Sequence, residues 1–190
     1  MTREHFTGGF VERSGKLHES FLLGDVRHES KEYKEALKNL GVDGRGYLTF
    51  KEALGLVKKF QPIDNETKKL QDPTHPKKAF PNDLRIAIAD ALGLTTTEEL
   101  NRLKYYTAVG SPLDFFHGVD AFIELEGKTP EEQSQIVTFD VTLRTEAAAK
   151  RGANADVIIR ELNAEDKKQY FKNLDAIAAQ AALFLQEKRT

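Results

Sequence analysis

The stretch Gly118-Val119-Asp120-Ala121-Phe122-Ile123-Glu124-Leu125, followed by Val137-Thr138-Phe139-Asp140-Val141-Thr142-Leu143-Arg144, has an apolar residue at every second position. Side chains alternate across a strand, so this period of two predicts two β-strands of an antiparallel hairpin. Asp120, Phe122 and Glu124 then share one face of the first strand, and Asp140, Thr142 and Arg144 share one face of the second. For both apolar sets to meet one core the pairing offset must be even, and a turn centred on Pro130 sets Asp120 opposite Asp140. Facing aspartates repel by up to about 1 kcal/mol. A divalent cation between them turns that repulsion into binding, and Mg²⁺ (or Mn²⁺) needs only one or two carboxylates, with water completing its shell. Against this stands the ordinary case of strand-end acids that simply face water, as Glu124 on the same face allows.

Upstream the apolar period is helical. Tyr33, Leu37 and Leu40 form a stripe from Ser30 onward, and Phe50, Ala53, Leu54 and Val57 form another over 49–60. Four prolines mark 61–81 as a loop, and a third helix is expected over 81–92, stopped by Gly93. A fourth helix is expected from Thr95, capped by the Thr95/Glu98 pair and continued through Leu100, Leu103 and Tyr106 or Thr107. Downstream, a short helix is expected over 145–150, a buried strand over 155–159, and a long amphipathic helix from Ala164 striped by Tyr170, Phe171, Leu174, Ile177, Ala178, Ala181, Phe184 and Leu185. Residues 1–28 show no clear period and read as a loop or arm. Together these predict an α/β (α+β) protein with a helical N-terminal region, 1–93, and a sheet-containing region, 94–190.

Composition limits the function classes. With 39% hydrophobic and 31% charged residues the chain is an ordinary globular sequence, long enough to bury a core. Zero cysteines exclude disulfides and thiolate metal sites. No apolar leader opens the chain and no apolar run is long enough for a membrane span, so a cytoplasmic protein without a membrane partner is expected. The net charge of −2 gives no global attraction to nucleic acid. Two lysine pairs, Lys68-Lys69 and Lys77-Lys78, read as solvated surface. Tyr105-Tyr106 and Phe115-Phe116 are able to stack on unpaired bases, but core packing is the expectation for both pairs.

The segments 118–123, 137–142 and 155–159 resemble the core of the PD-(D/E)XK nuclease superfamily over residues 95–160. That resemblance implies a restriction-endonuclease-like mixed β-sheet flanked by helices, with elements in the order helix, three strands, helix, strand. It implies that Asp120 and Asp140 hold Mg²⁺ or Mn²⁺, and that Glu98 or Glu99 adds a further acid. Its acid-x-lysine motif departs here, because Thr142 occupies the lysine position. Lys150 would then supply the amine that assists the attacking water, with Arg144 as the substitute, while Thr142 and Arg144 would meet the substrate. His117, three residues before Asp120, is placed to touch a substrate phosphate or act as a general base, against the ordinary structural role of a turn histidine. The implied function is metal-dependent phosphodiester hydrolysis of DNA or RNA. Without a replacement amine it becomes metal and nucleic-acid binding alone. The alternative is a non-catalytic scaffold whose N-terminal helical region binds a protein.

Gly46, Leu48 and Glu52 fall at EF-hand loop positions, but Gly41 and Arg45 occupy positions that need oxygen ligands. We therefore read a glycine-rich turn between two helices. No Walker-type phosphate loop or nucleophile elbow is present. The five histidines show no metal-ligand spacing.

Overall fold

The computed structural model describes residues 19–40, 47–141, 154–160, 162 and 166–187. Among them, helices α1 (Glu19–Leu23), α2 (Lys31–Asn39), α3 (Phe50–Lys59), α4 (Ala79–Ala91) and α5 (Thr97–Asn101) precede strand β1 (Leu103–Thr107). Helix α6 (Pro112–His117), strands β2 (Ala121–Leu125), β3 (Gln135–Val141) and β4 (Val157–Ile159), and helix α7 (Lys167–Glu187) follow. The protein is a mixed α+β fold built on one four-stranded sheet in the order β1-β2-β3-β4. β1, β2 and β3 are antiparallel neighbours, and β4 runs parallel to β3.

Local chemistry explains the helix starts. The Ser30 hydroxyl accepts from the Tyr33 N–H to open α2, and Thr49 with Glu52 forms a reciprocal capping box for α3. Glu52 is committed to that cap. Loop residues 41–46, which hold the other EF-hand positions, lie outside the described residues. Helix α4 begins two residues earlier than expected, because Pro81 sits in its first turn, where a missing N–H costs nothing. Gly93 ends it at φ +68°, a left-handed conformation that suits glycine.

The expected fourth helix is a correction. Its cap is Thr96/Glu99 rather than Thr95/Glu98, it stops at Asn101, and Leu103–Thr107 is a strand. Leu100, Leu103 and Tyr106 happen to lie at helical spacing, yet Tyr105-Tyr106-Thr107 is a β-favouring run whose two faces both find cover. The segment after it is also helical, as α6, a short helix opened by Ser111 and Pro112. Within the expected N-terminal arm, residues 19–23 form α1. The expected helix over 145–150 lies outside the described residues.

Both sheet faces are covered. Ala121, Ile123, Leu125, Val137, Phe139 and Val141 meet α1, α4 and α7, including Phe80, Leu84, Tyr170, Leu174 and Leu185. On the opposite face Tyr106 and Phe122 meet Tyr33, Leu56, Val57, Phe60 and Leu113 from α2, α3 and α6. Tyr106 and Phe122 are direct cross-strand partners, and their rings stack at 4.9 Å. Tyr105 and Tyr106 are thus core residues, as expected, whereas Phe115 and Phe116 are exposed, Phe115 by 73%.

Helix α7 is tied to α4 by more than apolar contact. The Tyr170 hydroxyl donates to Asp83 Oδ2 at 2.9 Å, both groups being buried. Tyr170→Phe keeps the packing and removes the donor from a buried carboxylate oxygen, so it is expected to cost about 1–3 kcal/mol in urea unfolding. A loss below ~0.5 kcal/mol would show that this bond does not hold the C-terminal helix in place.

Candidate carboxylate site

The hairpin register agrees with the expected turn. Ala121 pairs with Phe139 and Leu125 with Gln135, so the next position beyond the ladder brings Asp120 beside Asp140. Alternation sends Ile136, Thr138 and Asp140 to the face opposite Val137, Phe139 and Val141, which is also the face of Asp120 and Phe122. This face is not solvent. Asp120 is only 4% exposed, Glu124 and Thr138 are buried, and Asp140 is half-buried.

Asp120 is pinned from three directions. Its N–H donates to the Phe139 carbonyl at 2.8 Å, and its own carbonyl accepts from the Ala108 N–H at 2.7 Å. Its side-chain Oδ2 accepts from the Val141 N–H at 2.7 Å. The carboxyl thus closes the end of the β2–β3 ladder and is aimed by backbone rather than by a flexible partner. Glu124, four residues along on the same face, is neutralised differently: Lys58 donates to it at 2.7 Å while lying over the Tyr106 ring. It belongs to the packing between α3 and the sheet.

A residue missed in the sequence completes the cluster. Ser111 caps α6 by accepting from the Leu113 N–H, and that short helix delivers Asp114 to Asp120. Asp114 accepts from the Gly110 N–H at 2.9 Å and shares a side-chain hydrogen bond with Asp120. Its pKa is raised mainly by burial, with Asp140 and Asp25 adding negative charge. Asp120 is pushed up to about 8, first by burial and then by Glu19, Asp114 and Asp140, against the lowering effect of the Val141 N–H. The spacing Ser111-Pro112-x-Asp114 was readable as a cap and first helical turn, but nothing in it pointed to Asp120.

The other expected site residues separate. Glu98 and Glu99 precede β1 at its Leu103 end, which pairs with Leu125, whereas Asp120 lies at the Thr107 end. Roughly 13 Å of strand intervenes. Glu99 is instead held by the N–H groups of Thr95 and Thr96. The helical acid whose charge reaches Asp120 is Glu19 of α1. His117 ends α6 with its Nε2–H donated to the Leu48 carbonyl at 2.9 Å and its ring between Tyr47 and Phe50, an arrangement that fixes α6 on α3. Thr142, Arg144 and Lys150 lie outside the described residues. Asp156 locks β3 to the segment entering β4, accepting from the Thr138 N–H and hydroxyl at 2.9 Å each.

Among the described residues, no group of three or more His, Asp or Glu side chains converges closely enough to hold a metal ion on its own. Asp120 and Asp140 occupy facing register positions on one sheet face, and Asp114 bonds to Asp120. No described helix is long and apolar enough to cross a membrane. Comparison of the chain with protein-family models, curated proteins and solved structures finds no match.

The raised pKa values make a signed prediction. A carboxyl whose folded pKa lies above its unfolded value holds its proton more tightly in the fold. Its stabilising contribution is complete below the ordinary aspartate range and is lost as pH rises through about 8. In chelator, unfolding free energy is therefore expected to fall between pH 5 and 9, and Asp120→Asn to flatten that fall. Parallel pH profiles for wild type and variant would refute the burial of this charge.

Proposed function

We propose that the protein is a divalent-cation-dependent phosphodiesterase acting on nucleic acid, with Asp120 and Asp140 holding the cation. The observation that carries this reading is the gathering of Asp120, Asp140 and Asp114 at one end of a sheet, with Asp120 fixed and almost wholly buried. Burying like charges together is costly, and a proton on Asp120 relieves it only in part. The donor set fits Mg²⁺ or Mn²⁺: hard carboxylate oxygens, two of them direct ligands, with water filling the remaining positions. Asp114, hydrogen-bonded to Asp120, closes the back of this pair.

The bound cation would supply Lewis acidity and a more acidic bound water. The chain's own residues do the rest. The Val141 N–H orients the Asp120 carboxyl, and Asp114, hydrogen-bonded to it, would hold Asp120 in place beside the cation. Glu19 and Asp140 add the negative field that draws a cation in. The mixed sheet, with acids at the start of β2 and the end of β3, is compatible with this reading, although α6 comes between β1 and β2 where the resemblance implies three successive strands. Lys150, with Arg144 as substitute, remains the proposed source of the amine. A second reading, a scaffold without catalysis, draws on the Asp120–Val141 bond, which ties β2 to β3 whether or not a cation is present.

The two readings part in one experiment. Calorimetric titration with Mg²⁺ or Mn²⁺ should show saturable binding to wild type, tightening as pH rises and the Asp120 proton leaves. Asp120→Asn or Asp140→Asn should weaken it at least tenfold, and cleavage of single-stranded or duplex DNA or RNA should fall at least a hundredfold. Folded wild type that binds neither metal would leave the scaffold reading.

A further inference from the structure

Four aromatic rings stand in water where α3 begins and α6 ends. Tyr47 is 63% exposed, Phe50 41%, Phe115 73% and Phe116 43%. Tyr47 lies edge-on to Phe116 at 5.9 Å and tilted against His117 at 5.8 Å, and Phe50 meets His117 edge-on at 5.5 Å. Phe115 adjoins Phe116 on α6. We propose that this aromatic patch is the contact through which two copies of the chain pair as a twofold-symmetric dimer. The proposal stands apart from the phosphodiesterase reading and does not depend on it.

Area argues for a second copy. At about 200 Å² for a whole aromatic side chain, the exposed fractions leave about 440 Å² of aromatic surface in water. Contiguous apolar patches of that size mark interaction sites on soluble proteins. Homodimer interfaces are roughly 65% apolar, so a patch of this size is the centre of about 700 Å² buried on each copy. That is close to the ~800 Å² per partner of a stable standard-sized interface.

The rings are also fixed before any partner arrives. His117 donates to the Leu48 carbonyl at 2.9 Å, and Gly118, at φ +63°, closes α6 by donating to the Asp114 carbonyl at 3.0 Å. The Thr49/Glu52 capping box holds the start of α3. Little freedom is left to lose on association.

Charge separates a second copy from a polyanion. Lys51 and Glu52, both exposed, follow Phe50, so the edge of the patch carries both signs. Nucleic acid would meet Glu52 as well as Lys51. A twofold axis through the rings sets this edge antiparallel to itself, which lets Lys51 of one protomer face Glu52 of its partner. Aromatic rings meeting their own copies reach the offset or edge-on arrangements they prefer. The contact also braces α6 from outside, since this helix holds Asp114 against Asp120 on its inner side.

The test is sedimentation velocity of the full chain across micromolar to submillimolar concentrations, where the wild type should reach twice the monomer mass. Phe115→Ser/Phe116→Ser removes the α6 rings, and Tyr47→Ser alters the patch without touching α6. Each should raise the dissociation constant about tenfold or more. These side chains are exposed, so both variants should keep the wild-type circular dichroism spectrum. Leu183→Ser, at an exposed apolar position on α7, should leave the dimer unchanged. A wild type that stays monomeric throughout, a dimer unaffected by both patch variants, or equal weakening by Leu183→Ser would each overturn the contact. So would a monomeric wild type that binds a short single-stranded oligodeoxynucleotide through the same rings, read by fluorescence anisotropy. Patch-dependent dimerisation without Mg²⁺ binding would retain the contact and reject the phosphodiesterase.

Discussion

A strand covered on both faces cannot leave a charge in water, and β2 carries one acid near each end of its polar side. This constraint shapes the molecule around it. Glu124 is answered by Lys58 from α3, which lies over the Tyr106 ring as it reaches the carboxylate. Asp120 is answered by a backbone N–H and by another acid, Asp114. The first arrangement is a salt bridge that packs a helix. The second leaves negative charge accumulating in a buried corner, which is an expensive way to close a strand ladder unless a cation is part of the design.

The same constraint explains why the N-terminal helices matter to the site. Helices α2, α3 and α6 cover the polar face, while α1 and α4 join α7 on the other. Helix α1 also brings Glu19 within electrostatic reach of Asp120, and the segment after it places Asp25 near Asp114. The helical part of the chain therefore contributes charge to the site at the sheet end as well as cover for the sheet.

The hairpin was legible because its signal is local: a strict period of two, and a polar interval whose centre fixes the register. The long C-terminal helix was legible for the same reason: of its expected stripe Tyr170, Leu174, Ala178, Ala181 and Leu185 are buried, while Phe171, Ile177 and Phe184 pack at the edge of the core. Strand β1 was misread because Leu100, Leu103 and Tyr106 satisfy a helical period by coincidence, and only pairing with β2 decides between the two structures. Glu98 and Glu99 came from the family resemblance alone, and the turn into β1 places them at the Leu103 end of the sheet, away from Asp120. Asp114 was invisible for a different reason. Its role depends on α6 docking against the start of β2, a contact between elements that no spacing in the chain encodes. The exposure of Phe115 and Phe116 follows from the same docking, which buries Pro112 and Leu113 and turns the later residues of the helix outward.

The central claim is that Asp120 and Asp140 form one cation site rather than two unrelated strand-end acids. The most direct measurement is anomalous scattering from crystals of the protein soaked in Mn²⁺. The account predicts a peak within coordination distance of carboxylate oxygens from both Asp120 and Asp140, with water completing the shell. A well-ordered Asp120 still bonded to the Val141 N–H, with no manganese peak beside it or with manganese bound elsewhere, would contradict it.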